Sequence, residues 1–280
     1  MPAEPVPLSG VEPRAGVAKP DPLLVVDGVR RTFDGLTAVD VDHLEVQRGS
    51  ITALIGPNGA GKTTLFNVLT GFDRPDRGRW RFAGTDVSAL PAHRLARAGM
   101  VRTFQLTRAL AKMSVVDNIC LAATAQTGER FLQSLARRRW REEERDVVRR
   151  ADRLLARFDL DHMRDEYAGT LSGGQRKLLE MARALMAEPA MVLLDEPTAG
   201  VNPALTRSLL QHTAELRDGG MTVLFVEHDM DVVMGISDWV VCMAAGAVIA
   251  EGPPAAVGTN PAVIDAYLGT HRAQVPDPAP

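Results

Sequence analysis

The run Gly56-Pro57-Asn58-Gly59-Ala60-Gly61-Lys62-Thr63-Thr64 constrains this chain more than any other stretch. It fits the G-x-x-x-x-G-K-[ST] pattern, with the apolar run Ile51 to Ile55 before it reading as a buried strand and Lys62 to Leu69 behind it reading as a helix. Strand, glycine loop and helix in that order make a phosphate cradle. Glycines let the backbone turn its N–H groups inward, the helix N-terminus adds a positive dipole end, and Lys62 supplies a point charge. Thr63 is the candidate magnesium ligand.

Two later fragments end apolar strands in polar groups. Met191-Val192-Leu193-Leu194 delivers the carboxylates Asp195 and Glu196, and Thr222 to His228 is another strand ending in a histidine. Strand ends are where an open α/β sheet builds its site. Between them and the loop lies Leu171-Ser172-Gly173-Gly174-Gln175, which reads as a glycine-bearing helix start whose free N–H donors can face an anion. Ser172 also fits an ordinary N-cap.

Taken together, these motifs resemble the nucleotide-binding subunits of ABC transporters over about residues 23–270. The resemblance implies an α/β fold of the P-loop NTPase type, an ABC cassette over 23–252 with a mostly parallel sheet core, antiparallel strands and an inserted helical subdomain over about 106–188. It implies that two cassettes sandwich two nucleotides, with Ser172, Gly173, Gly174 and Gln175 facing ATP held by the opposite subunit. Asp195 then holds Mg²⁺, which takes few protein carboxylates beside substrate phosphates. Glu196 corresponds to the glutamate that polarises the attacking water. Gln105 corresponds to the loop glutamine that reaches metal and water, and His228 to the switch histidine at the γ-phosphate. Phe33, ahead of Asp34-Gly35-Leu36, stands where the family stacks an aromatic on adenine; ordinary packing of a strand aromatic is the open alternative. Asn202 occupies a position where many cassettes carry Asp, and a neutral amide cannot pair ionically.

Ala247 to Gly252 and Asn260 to Gly269 resemble the short C-terminal extension, here 253–270, of branched-chain amino-acid importer ATPases. Arg102-Thr103-Phe104-Gln105 and Ala199 to Pro203 look like the same branch. That implies ATP and Mg²⁺ as cofactors, a second cassette in a homo- or heterodimer, transmembrane permease subunits and, indirectly, an extracytoplasmic solute-binding protein. A urea or lipid transporter ATPase and a soluble ABC protein remain open alternatives, while no Asn-Lys-x-Asp guanine motif occurs.

Composition sets the limits. A net charge of −3 argues against a nucleic-acid partner, whose footprint would be basic. Opposite charges at helical spacing in Arg137 to Arg145 read as a solvated helix face, with lipid or partner contact as the alternative. Cys120 and Cys242 read as reduced core residues, and His43, His93, His162, His212 and His271 as surface residues. No apolar run reaches the length of a membrane span, and Met1-Pro2-Ala3-Glu4-Pro5 is no signal peptide. The expected location is therefore the cytoplasmic face of the plasma membrane, peripheral through a permease. Residues 1–22 and 271–280, rich in Pro and Ala, read as flexible tails. Residues 23 to about 104 read as strands around the loop, Val115 to Ala123 and Phe131 to Phe158 as helices, and 189–250 as alternating strand and helix.

Overall fold

Short apolar runs with no polar face must be covered on both sides, and the chain provides two layers to do it. The computed structural model describes residues 6–103, 109–123 and 137–272. β1 (Pro22–Phe33) and β2 (Leu36–Gln47) form a long antiparallel hairpin, and β3 (Ile51–Ile55) leaves it for a second sheet. β4 (Arg77–Phe82) and β5 (Thr85–Asp86) return to the first sheet, whose order is β2-β1-β4-β5. The second sheet adds β6 (Met100–Arg102), β7 (Met191–Asp195), β8 (Thr222–Val226), β9 (Trp239–Ala244) and β10 (Ala247–Gly252) in the order β10-β9-β3-β8-β7-β6. Its pairs are parallel except β9 with β10.

Alternation along the central strands divides the core in two. Ile51, Ala53 and Ile55 of β3, with Val192, Leu194, Val223 and Phe225, face one cluster; Leu54, Leu193, Leu224 and Val226 face the other. The first is covered by α3 (Val115–Cys120), α4 (Arg137–Arg157), α5 (Gly173–Met186), α6 (Pro203–Asp218) and α7 (Met230–Ile236). The second is covered by α1 (Lys62–Leu69), by α2 (Ala92–Arg97) and by the antiparallel sheet through Val26, Val29 and Trp80. Each such aliphatic side chain contributes roughly 1.5–3 kcal/mol relative to exposure. A one-residue slip would exchange the two faces, so burial sets the register that aims each strand end. Two short helices, α8 (Pro254–Gly258) and α9 (Pro261–Arg272), follow β10 and pack back onto it. No described helix is long and apolar enough to cross a membrane.

Several expectations are corrected. Residues 6–21 are not a free tail: Leu8, Val11 and Val17 pack against the second core, and the Lys19 ammonium lies 2.7 Å from the Glu251 carboxylate with both side chains buried. Trp239 donates its indole N–H to the same carboxylate at 2.8 Å, and Lys19 stands over the Trp239 ring. Burial pushes the Lys19 pKa down, opposed by Glu251. The partner lies 232 residues away, so no local pattern shows it. His212 is buried, its ring meeting Phe158 edge-on at 4.8 Å, because it falls on the inner face of α6. His43 is half-buried between Asp27 and Glu45, whereas His93 and His162 are exposed. The segment read as strands also contains α2, which Pro91 and a run of helix-forming residues start. Cys242 is buried but Cys120 only half-buried; neither forms a disulfide. On α4, Glu142, Glu144, Arg145 and Asp146 are exposed, as a solvated face requires.

Candidate functional site

β3 ends buried at Ile55 and α1 opens at Lys62, so the loop between them is held at both ends. Gly56 and Gly61 have no room for a side chain and positive φ besides, +146° and +97°: a Cβ on Gly56 would lie 2.1 Å from the Met243 carbonyl oxygen, and one on Gly61 2.2 Å from that of Ala38. The loop is thus wedged between β9 and β2. Gly246 strengthens the wedge, donating its N–H to the Ala60 carbonyl at 3.1 Å and accepting from the Asp40 N–H at 2.8 Å. Lys62 folds its ammonium over the loop, donating to the carbonyls of Gly56 at 2.6 Å and Pro57 at 3.0 Å. Burial pushes its pKa down and the Glu196 carboxylate opposes the shift, so the loop and the end of β7 share one electrostatic site. Asn58 and Gly59 are exposed at the crown, as is Thr63 on the first turn of α1, with Thr64 half-buried beside it.

Asp195 is buried at the end of β7 and paired with Arg102 of the neighbouring β6 at 2.6 Å. Arg102 also donates to the Asn67 amide oxygen at 2.7 Å, tying β6 and β7 to α1. Glu196 follows in the left-handed region, φ +47°, where a non-glycine residue needs surrounding bonds to hold it. Those bonds are present. The Glu196 N–H donates to the Val226 carbonyl at 3.0 Å, and Lys177 on α5 donates to the carbonyls of Glu196 at 3.3 Å, Pro197 at 2.9 Å and Ala199 at 2.6 Å. Glu227, fully buried, accepts from the N–H groups of Thr198 at 3.0 Å and His228 at 3.1 Å. His228 itself projects outward, its side chain 65% exposed.

Ser172 is the N-cap of α5 and closes a capping box, accepting from the Gln175 N–H at 3.2 Å while Gln175 accepts from the Ser172 N–H at 2.9 Å. The cap leaves the N–H groups of Gly173 and Gly174 in the first turn, where a helix has no internal acceptors. A Cβ on Gly174 would meet Leu205 of α6 at 1.8 Å, so the two helix starts abut. Asn202 caps α6, accepting from the Leu205 N–H at 3.0 Å. Phe33 is 43% exposed at the hairpin tip, beneath the Arg31 guanidinium, and not packed in the core. Gln105 lies outside the described residues.

Sequence reasoning passed over three charged groups that shape this site: Arg102, Lys177 and Glu227. A buried or half-buried charge beside a strand end or a helix start is the local signal for them, and each has a partner 19 or more residues away.

The profile of the ABC transporter family matches residues 39–199, and that of the branched-chain amino acid ATP-binding cassette transporter matches residues 247–273. A probable branched-chain amino acid transport ATP-binding protein, LivG of Archaeoglobus fulgidus, is 43% identical over 90% of the chain and 98% of its own length. The high-affinity branched-chain amino acid transport ATP-binding protein BraF of Pseudomonas aeruginosa is 43% identical over 89% of the chain and 98% of its own length. Among solved structures, a nucleotide-free ATP-binding cassette from an ABC transporter superposes with a TM-score of 0.76 at 38% identity, covering 88% of this chain and 98% of that one. An ADP-bound cassette gives the same TM-score at 37% identity, over 89% and 99%. With the family profile matched over 39–199, relatives 43% identical over nine-tenths of the chain and cassettes that superpose at a TM-score of 0.76, the chain belongs to the ABC transporter family as an ATP-binding cassette.

Proposed function

We propose that this chain binds and hydrolyses ATP to drive an importer of branched-chain or other apolar amino acids. The observation that carries the reading is the loop wedged between β2 and β9 with Lys62 folded over it and Glu196 within electrostatic reach. Lys62, oriented by the Gly56 and Pro57 carbonyls, presents its ammonium to the β and γ phosphates, and the loop N–H groups hold the remaining oxygens. Glu196, fixed by Lys177 through its own carbonyl and those that follow, accepts the proton of the attacking water. His228 and Gln105 complete the approach to the γ-phosphate. Thr63 and Asp195 offer the hard oxygen donors a magnesium ion prefers, and the Arg102 pair marks the Asp195 carboxylate as a place that accepts a cation. When bound there, Mg²⁺ would neutralise phosphate charge as the bond breaks.

Ser172, Gly173 and Gly174 at the exposed start of α5 serve nucleotide on a second cassette, a copy of this chain or a homologue. Phe33 stacks on adenine at the hairpin tip. A groove between the subdomains receives a cytoplasmic segment of a permease, which brings the chain to the membrane, and an extracytoplasmic binding protein delivers the solute to that permease. Labelled leucine uptake and ATPase activity of the assembled transporter test both halves. Glu196→Gln should keep ATP binding and lower turnover by at least about a hundredfold, the scale of a lost general base. Turnover within about twofold of wild type, far below that scale, would remove Glu196 from the mechanism. Unaltered leucine uptake alongside lost urea or lipid transport would overturn the solute.

A further inference from the structure

Tyr267, on the last helix of the chain, reaches the root of the phosphate loop. Its hydroxyl oxygen accepts a hydrogen bond from the Gly56 N–H at 2.9 Å across 211 residues of sequence. α9 is anchored for this by Val263, which is buried, while Ile264 and Leu268 on its other sides are exposed. Burial pushes the Tyr267 pKa up, so the phenol keeps its proton at neutral pH. Gly56 is held from three directions: its N–H by Tyr267, its Cα by the Met243 carbonyl, and its own carbonyl by the Lys62 ammonium at 2.6 Å. One residue therefore lies between the Tyr267 hydroxyl and the lysine that meets the phosphates.

We propose that Tyr267 is a positioning residue for the phosphate loop, and that α9 thereby sets the affinity of the cassette for nucleotide. The inference rests on reading that loop as the ATP site. Losing the hydroxyl frees Gly56 to turn, and Lys62 loses the fixed carbonyl that orients it. The consequence is weaker binding of ATP and ADP alike, with little change in turnover once the site is saturated, since neither Glu196 nor its supports are touched.

Tyr267→Phe in the full chain keeps the ring and removes the hydroxyl that meets Gly56. Titration with MgATP and MgADP should give dissociation constants raised about three- to tenfold, the scale of one hydrogen bond. The maximal ATPase rate of the assembled transporter should remain within about twofold of wild type, and hydrogen exchange at the Gly56 amide should accelerate by a similar factor to the binding loss. Leu268→Ala, exposed on the same helix, should change none of these. Unchanged dissociation constants, or an unchanged Gly56 exchange rate, would overturn the positioning role even if the variant melts at a lower temperature. A wild-type chain that fails to bind MgATP would instead overturn the nucleotide reading beneath it.

Discussion

The Arg102 guanidinium donates to the Asp195 carboxylate at 2.6 Å, and both side chains are almost wholly buried. A charge pair taken out of water is costly to break, because removing one partner strands the other in a medium that solvates it poorly. Arg102→Met should therefore destabilise the chain by about 3–5 kcal/mol when divalent ions are chelated. Adding Mg²⁺ with nucleotide should recover more stability in the variant than in wild type, because a cation then reaches the Asp195 carboxylate that the substitution left unpaired. Chemical denaturation with and without MgATP checks both statements, and equal stability of variant and wild type under chelation contradicts the first.

Lys177 holds three carbonyls of the segment that carries Glu196, those of Glu196, Pro197 and Ala199, from the helix that Ser172 caps and whose first turn bears Gly174. Burial pushes its pKa down while Glu227, Glu180 and Glu196 oppose the shift. Lys177→Met keeps the aliphatic stem and removes the donors, leaving the left-handed Glu196 without part of its support. ATP affinity should stay within about twofold, while the maximal rate falls by roughly tenfold or more, the mark of a group that orients the base rather than binds substrate. A change confined to affinity would assign Lys177 to binding instead.

Burial pushes the Cys242 thiol from 9.0 up to about 11, with the Lys62 charge pulling the other way. The folded chain keeps this proton where the unfolded chain loses it. The associated stability is therefore complete below about pH 9 and lost as pH rises to about 11. Denaturation midpoints taken across that window should fall, with roughly 2–3 kcal/mol as the share of this thiol, and Cys242→Ala should flatten the slope. At pH near 8, a thiol reagent should modify half-buried Cys120 before buried Cys242. Rapid labelling of Cys242 in the folded chain would refute the assignment.

Motifs whose function depends on adjacent backbone were legible in order along the chain. A phosphate loop needs glycines, a lysine and a helix start within nine residues, so Gly56 to Thr64 can be read before any fold is known. The apolar runs before Asp195 and Glu227 likewise announce buried strands, since a strand covered on both faces can spare no polar position. Ser172 with Gln175, three residues apart, carries its capping box in the same local way.

What tertiary structure alone decided are the pairings made by charge and volume between distant segments. Arg102 with Asp195, Lys177 with the Glu196 loop, Lys19 with Glu251, and Tyr267 with Gly56 each join residues from separate elements. Sequence records which groups a chain owns. Burial decides which of them lose water and must find one another, because an unpaired polar group in the interior costs more than the bond it makes is worth.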